Sequence, residues 1–239
     1  MPRRPATAPM GGGRAQGSLP QNRPLLLVSG ATTTVRQFAG HPHLGRLIQP
    51  RSGNSIDELA NCGMWWAADN DALAGIDPDR LFAMLDAMAT TDRSRCLFGT
   101  VPDAVEMTAT GPRGSWEGTL WLFRAWRRAY EQRGIPPAIV LQDGATVESV
   151  PWDEVAAVFV GGSTTWKEGL EAAGIIQAAR ARGVWVHVGR INSVRRLQLF
   201  EAAIDSFDGG KFSMYPDTYI PEWLELLGLP EKQMRMPGC

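Results

Sequence analysis

The sequence predicts an α/β protein, a compact (β/α)8 barrel of the TIM type. Three observations lead there. Short apolar runs of strand length alternate with stretches of helical period along most of the chain. The runs are continuously apolar, as parallel strands covered on both faces are. Nearly every run also ends in a polar or glycine-rich cluster. A barrel gathers such clusters at one rim, whereas an open doubly wound sheet concentrates them at one switch point. At 239 residues, 44% of them hydrophobic, the chain holds enough apolar mass for one core of this kind.

Residues 1–23 are rich in Pro, Gly, Ala and Arg with almost no large apolar side chain, so a disordered tail is expected there. Residues 24–239 are expected to form a single barrel domain. Pro24–Ser29 reads as the first strand, followed by Gly30, and Gly63–Ala68 as the next, ending in Asp69-Asn70-Asp71. Asp77-Pro78 is a helix-start signal, and Leu81, Phe82, Leu85 and Met88 share one face of the helix that follows. Arg95–Thr100 reads as a strand leading into Val101-Pro102-Asp103, and Ser115–Gly134 as a long amphipathic helix closed by glycine. Strands over Ala138–Leu141 and Ala156–Val160 end in Gln142-Asp143-Gly144 and Gly161-Gly162-Ser163. A helix over Glu168–Arg182, a strand over Val184–Val188, a helix over Val194–Ala203, a strand over Ile204–Phe207 and a short helix over Pro221–Leu227 complete the series. These make seven βα-like units, and the eighth strand is expected near Arg46–Gln49 or Lys211–Met214.

The net charge is −1, so no global basic field draws in nucleic acid, and any polyanion contact must come from a local patch. Cys62, Cys96 and Cys239 are scattered, odd in number and without metal-ligand spacing, which fits a reduced, cytoplasmic setting. His41, His43 and His187 form no His-x-x-x-His pair, and the first two read as a polar loop, so no metal is expected. No apolar run approaches the ~18 residues of a membrane span. The N-terminus lacks a signal-peptide core, and no membrane contact is expected.

The segment Ala203–Gly210 concentrates the chemistry. A short apolar run carries Asp205 and Asp208 and ends in paired glycines, so a strand delivers Asp208 to the rim where the backbone turns. The rim is expected to gather Asp69, Asn70, Asp71, Asp103, Gln142, Asp143, Gly161, Gly162, Asp205 and Asp208, with no evident catalytic His or Cys. Carboxylates around a barrel mouth suit three chemistries: holding a divalent cation, glycoside chemistry with an acid/base and a nucleophile, or recognition of a donor-rich heterocycle such as guanine. The Gly161-Gly162 pair favours the last, because bare backbone can lie close to a flat ring. Arg190, Arg195, Arg196, Lys167 and Arg51 fall near strand ends or helix starts, where they would hold phosphates.

An ordered set of short motifs sits at these strand ends: Trp65-Trp66-Ala67-Ala68-Asp69-Asn70, Pro102-Asp103, Leu141-Gln142-Asp143-Gly144, Phe159-Val160-Gly161-Gly162-Ser163, His187-Val188-Gly189-Arg190 and Ile204-Asp205-Ser206-Phe207-Asp208. The set resembles the tRNA-guanine transglycosylase superfamily, and looks most similar to the shorter phage and bacterial branch that inserts 7-deazaguanines into DNA. The resemblance runs from about Leu25 to Leu227. It implies Asp208 as nucleophile and Asp69 as proton shuttle, with Asp103, Gln142, Gly161 and Gly162 holding the base. It implies a two-step exchange of guanine in DNA for a 7-deazaguanine, such as a preQ0-type precursor, through a covalent aspartyl–sugar intermediate. No cofactor is implied. The target base must leave its stack, and helper proteins that open the duplex are candidate partners. The tRNA enzymes carry a Cys-x-Cys-x-x-Cys…His zinc site after the nucleophile strand, whereas only Cys239 follows Asp208 here. A barrel lacking the zinc subdomain, acting on DNA in the cytoplasm of a bacterial or phage-infected cell, is therefore expected. A tRNA-acting enzyme and a non-catalytic base-binding partner subunit are the alternatives.

Overall fold

The computed structural model describes residues 23–51, 63–90, 93–109 and 111–228. Ten strands occur among them: β1 (Leu25–Val28), β2 (Leu44–Ile48), β3 (Trp65–Ala68), β4 (Cys96–Thr100), β5 (Ala104–Thr108), β6 (Gly111–Ser115), β7 (Pro137–Leu141), β8 (Ala157–Val160), β9 (Trp185–Val188) and β10 (Ser206–Phe207). All but β5 and β6 close into one eight-stranded parallel barrel, in which β10 returns to pair with β1. The expected (β/α)8 class is the observed one.

The continuous hydrophobicity of the strands has a direct cause. Leu26, Val28 and Trp66 pack in one apolar cluster with helix residues such as Leu81, Phe123, Ile175 and Trp223, so this cluster fills the layer between barrel and helices. Their alternates Leu25, Leu27 and Trp65 join Leu47, Ala67, Phe98, Ala138 and Ala157 in a second cluster that contains no helix residue, which is the barrel interior. Each strand is thus apolar on both faces. The helices start at the C-terminal rim, where side chains cap them. Asp77 accepts from the Arg80 amide ahead of the helix Pro78–Ala89, and Ser115 from the Gly118 amide at the start of Trp116–Gln132. Ser163 and Ser193 do the same for Thr164–Lys167 and Val194–Phe200.

Several expectations need correction. Of the two candidate places for the eighth strand, the first is right, as β2 covers Leu44–Ile48, while Lys211–Met214 lies in the helix Gly210–Met214. The hairpin β5–β6 was not anticipated, because its largely exposed strands carry no apolar run. The helix expected over Glu168–Arg182 is present as Leu170–Ala181, and a separate short helix that was not expected, Thr164–Lys167, precedes it. The last helix spans Pro216–Gly228 with Pro221 inside it. Burial of Ile220, Trp223, Leu224 and Leu227 outweighs the backbone bond that Pro221 cannot donate. The final strand is only Ser206–Phe207, so Asp205 precedes it at the opposite end from the rim, where its carboxylate accepts from the Val186 amide. The expected tail, Cys62 and Cys239 lie outside the described residues, apart from Arg23. No helix among the described residues is long and apolar enough to cross a membrane.

Candidate functional site

The C-terminal ends of the barrel strands open into a cavity of about 610 Å³. Asp69, Asn70, Asp71, Asp103, Gln142, Asp143, Gly161, Gly162, Arg190 and Asp208 all line it. The register explains the convergence: Ser206 pairs with His187, so alternation along β9 and β10 sends Trp185, His187, Ser206 and Asp208 to the barrel interior.

Asp208 is held on both oxygens. Its Oδ1 accepts from the Arg190 amide at 3.0 Å, and its Oδ2 lies 2.9 Å from His187 Nε2. Arg190 reaches this position with a left-handed φ of 64°, uncommon for a side-chain-bearing residue and frequent at functional sites. The buried His187 continues inward: its Nδ1 is 2.9 Å from Ser206 Oγ, which also accepts from Trp185 Nε1 at 2.9 Å. The indole can only donate, so the Ser206 proton is free to go to His187 Nδ1. Whether neutral with Nδ1 accepting or protonated on both nitrogens, His187 presents Nε2–H to Asp208. Burial pushes the Asp208 carboxyl up, but the His187 hydrogen bond and charge, the Arg190 amide and the Lys167 charge outweigh it, and the net shift is downward. Asp208 is therefore ionised, oriented and 18% exposed to the cavity.

Asp69 is tuned the other way. Burial raises its carboxyl above the ordinary range, and the Asp208 charge adds to the rise. The Asn70 amide at 2.9 Å, Gln49 Nε2 at 2.8 Å and Thr100 Oγ1 at 3.2 Å hold it in place and only partly oppose the shift. One cavity thus holds an ionised carboxylate and one that retains its proton more readily. Two carboxyls whose surroundings push them apart are the pattern of a nucleophile with an acid/base partner.

Asp103 sits beside this pair, where Asn70 Nδ2 donates to its Oδ1 at 2.8 Å and Gln142 Nε2 donates to its Oδ2 at 2.7 Å. Each oxygen keeps a second lone pair for a ligand. Burial and the Asp69 charge raise the Asp103 carboxyl to about 6. The hairpin β5–β6, which starts at the next residue, covers this wall through Val105, Pro112, Arg113 and Gly114. Gly114 lies so close to Gln142 that an added Cβ would stand 2.0 Å from its Oε1, so a larger residue would dislodge the amide.

Other expected site residues do different work. The Gly161 and Gly162 amides both donate to Leu141 O at 3.0 Å, and Arg190 Nη2 donates to the carbonyls of both glycines. These glycines give the cavity a flat wall, but their amides are already engaged and are not open donors to a base. Lys167 was expected at the surface holding phosphate. It is instead 1% exposed, with its ammonium donating to Gly189 O at 2.7 Å. Arg196 is tied to Glu168 at 3.0 Å and to the Arg190 carbonyl, Arg51 is paired with Asp71, and Arg195 is exposed outside the cavity lining. The sequence reading missed His187, Gln49 and Arg113. His187 could have been found by pairing the period-two pattern of Trp185-Val186-His187 with that of Ser206-Phe207-Asp208; Arg113 gave no signal. Among the described residues no group of three or more His, Cys, Asp or Glu side chains is arranged to hold a metal ion.

Sequence comparison finds no matching family model and no matching curated protein. Among solved structures, the chain is similar to tryptophan synthase from M. tuberculosis in its aminoacrylate- and BRD0059-bound form. The TM-score is 0.53 at 13% identity, over 87% of this chain and 90% of that one. The open form of the same protein with BRD0059 bound gives a TM-score of 0.53 at 13% identity, over 87% of this chain and 91% of that one. At such identity the likeness establishes the barrel fold alone.

Proposed function

We propose that the protein is a base-exchange transglycosylase that replaces guanine in DNA with a 7-deazaguanine. The observation that carries this reading is the opposed tuning of Asp208 and Asp69 in one cavity, with the Asp103–Gln142 pair as an adjoining wall. Asp208 Oδ attacks C1′ of the deoxyribose as the C1′–N9 bond breaks, and the departing guanine takes the Asp69 proton. The enzyme is left with an aspartyl–sugar ester and an ionised Asp69. The incoming deazaguanine gives its N9 proton back to Asp69, and its N9 displaces Asp208 from C1′. Protons and charges balance over the cycle, and the logic is that of retaining glycosidases with a base in place of water. The Asp103 carboxylate accepts from the N1–H and exocyclic amine of the base. The DNA acceptor follows the resemblance of the strand-end motifs, and the extruded nucleotide enters beneath the hairpin.

Two results are expected. Because Asp103 must be ionised to accept from both base donors, KM for the incoming base rises as pH falls below about 6, the value to which its carboxyl is raised. An Asp103→Asn variant abolishes that dependence along with tight base binding. Arg113 lines the cavity from the exposed hairpin, and its side chain has no hydrogen-bond or ion-pair partner among the described residues, which suits a phosphate contact. Arg113→Gln should lower the slope of log K against log salt by about 0.7, measured by fluorescence anisotropy with single-stranded DNA. The reading itself is tested by following release of labelled guanine from single-stranded DNA, duplex DNA and tRNA in the presence of 7-deazaguanines. Release from DNA only when a deazapurine is supplied supports it. Exchange into tRNA alone would move the acceptor to RNA, and no release from any substrate would overturn the reading.

A further inference from the structure

A fully buried lysine is rare in proteins unless it has a specific partner. Lys167 is 1% exposed, comes from the short helix Thr164–Lys167 and is not part of the cavity lining. Its ammonium donates at 2.7 Å to Gly189 O, directly before the left-handed Arg190. The Arg190 carbonyl accepts from Arg196, and the Arg190 guanidinium reaches across to Gly161 O and Gly162 O. Two cations therefore hold the carbonyls of one left-handed turn, the turn's own guanidinium ties it to the neighbouring Gly161–Gly162 segment, and the amide of that turn donates to Asp208 Oδ1.

We propose that Lys167 is a positioning residue for the exchange reaction: its ammonium holds the Gly189–Arg190 turn so that the Arg190 amide stays on Asp208. The role as positioning residue rests on the function proposed above; the coupling between Lys167 and Asp208 does not. The groups facing Lys167 are Arg190, Asp208, Arg196 and Glu168, and those facing Asp208 are His187, Arg190 and Lys167, while Asp69 feels the Asp208 charge from across the cavity. Burial first, and then Arg190, pull the Lys167 ammonium down to about 7, against the Asp208 charge that holds it up. The coupling is reciprocal, since each charge favours the other.

The test titrates both groups by NMR in the full chain, reading the Asp208 carboxyl by carbon-13 and the Lys167 amine by nitrogen-15. Lys167→Met removes the donor and the charge; Lys167→Gln keeps a donor and removes the charge. In both, the Asp208 midpoint should rise by about one pH unit. The kcat for base exchange should fall on the order of 10- to 100-fold with KM for the incoming base nearly unchanged. In Asp208→Asn, the Lys167 midpoint should fall below that of the wild type, a reading that needs no Lys167 variant to fold. A lysine that only supports the fold would lower the melting temperature without moving either midpoint. Unchanged Asp208 titration in a folded Lys167 variant, or unchanged Lys167 titration in Asp208→Asn, would overturn the proposal. Coupled midpoints in a protein that exchanges no base would leave the coupling standing and remove the transglycosylase reading alone.

Discussion

Replacing Asp208 by Asn is expected to lower base exchange by several orders of magnitude while the barrel remains folded, because an amide of the same shape is not a nucleophile at C1′. The variant also carries a defined structural cost. Asp208 accepts from two fixed donors, the Arg190 amide and His187. An Asn can accept with one side only, so one of those donors faces the NH2 group, and a loss of about 1–3 kcal/mol is expected. The pH dependence has a definite sign. The Asp208 carboxyl is lowered in the folded state, so its contribution to stability is present above the unfolded carboxylate value and is lost as pH falls through the folded one. The gap in melting temperature between wild type and variant should therefore narrow in acid. Near-normal exchange by folded Asp208→Asn protein would remove the nucleophile from this account.

Asp69→Asn should cut exchange by about 10²- to 10⁴-fold, the usual contribution of a positioned proton donor and acceptor. Its effect on the fold runs opposite to that of Asp208→Asn. Burial and the Asp208 charge raise the Asp69 carboxyl in the folded state, so its favourable contribution is present at low pH and is lost as pH rises through the folded value. A neutral Asn resembles the protonated acid and removes that loss. Because Asp69 accepts on both oxygens, from Gln49 on one and from the Asn70 amide and Thr100 on the other, the Asn also leaves a donor facing its NH2 group at a cost of about 1–3 kcal/mol, so its deficit against the wild type should be largest in acid and narrow towards neutral pH, as read by thermal melts across a pH series. The alkaline limb of the kcat profile should vanish with the side chain. A variant that keeps both the alkaline limb and the rate would assign proton transfer elsewhere.

The barrel was legible because its strands are short, apolar on both faces and punctuated by polar clusters, and the structure assigns each face to a different cluster. Asp69, Asp103, Gln142 and Asp208 were legible for the same reason: each stands at or just beyond a strand end, where parallel topology makes all such residues converge. What escaped depends on distances that spacing does not encode. The hairpin carrying Arg113 has Gly, Pro and charged residues rather than an apolar run. Whether the Gly161 and Gly162 amides face a ligand or Leu141 is settled by the local turn. Lys167 looks like a surface cation in a polar stretch, and only the fold of the short helix over the Gly189 carbonyl reveals it as interior. Asp205 was misplaced because a strand of two residues is too short for its start to be read from composition.

The central claim is that Asp208 forms a covalent bond to the sugar. The most direct measurement incubates the protein with a guanine-containing single-stranded oligonucleotide and no deazapurine, quenches it in denaturant, and determines the intact mass and the modified peptide. The account predicts an adduct equal to protein plus oligonucleotide minus guanine. It should map to Asp208, be discharged by a 7-deazaguanine before the quench, and be absent from Asp208→Asn protein. Base exchange that proceeds with the adduct mapped to another residue, or with equal adduct formation by Asp208→Asn protein, would contradict it.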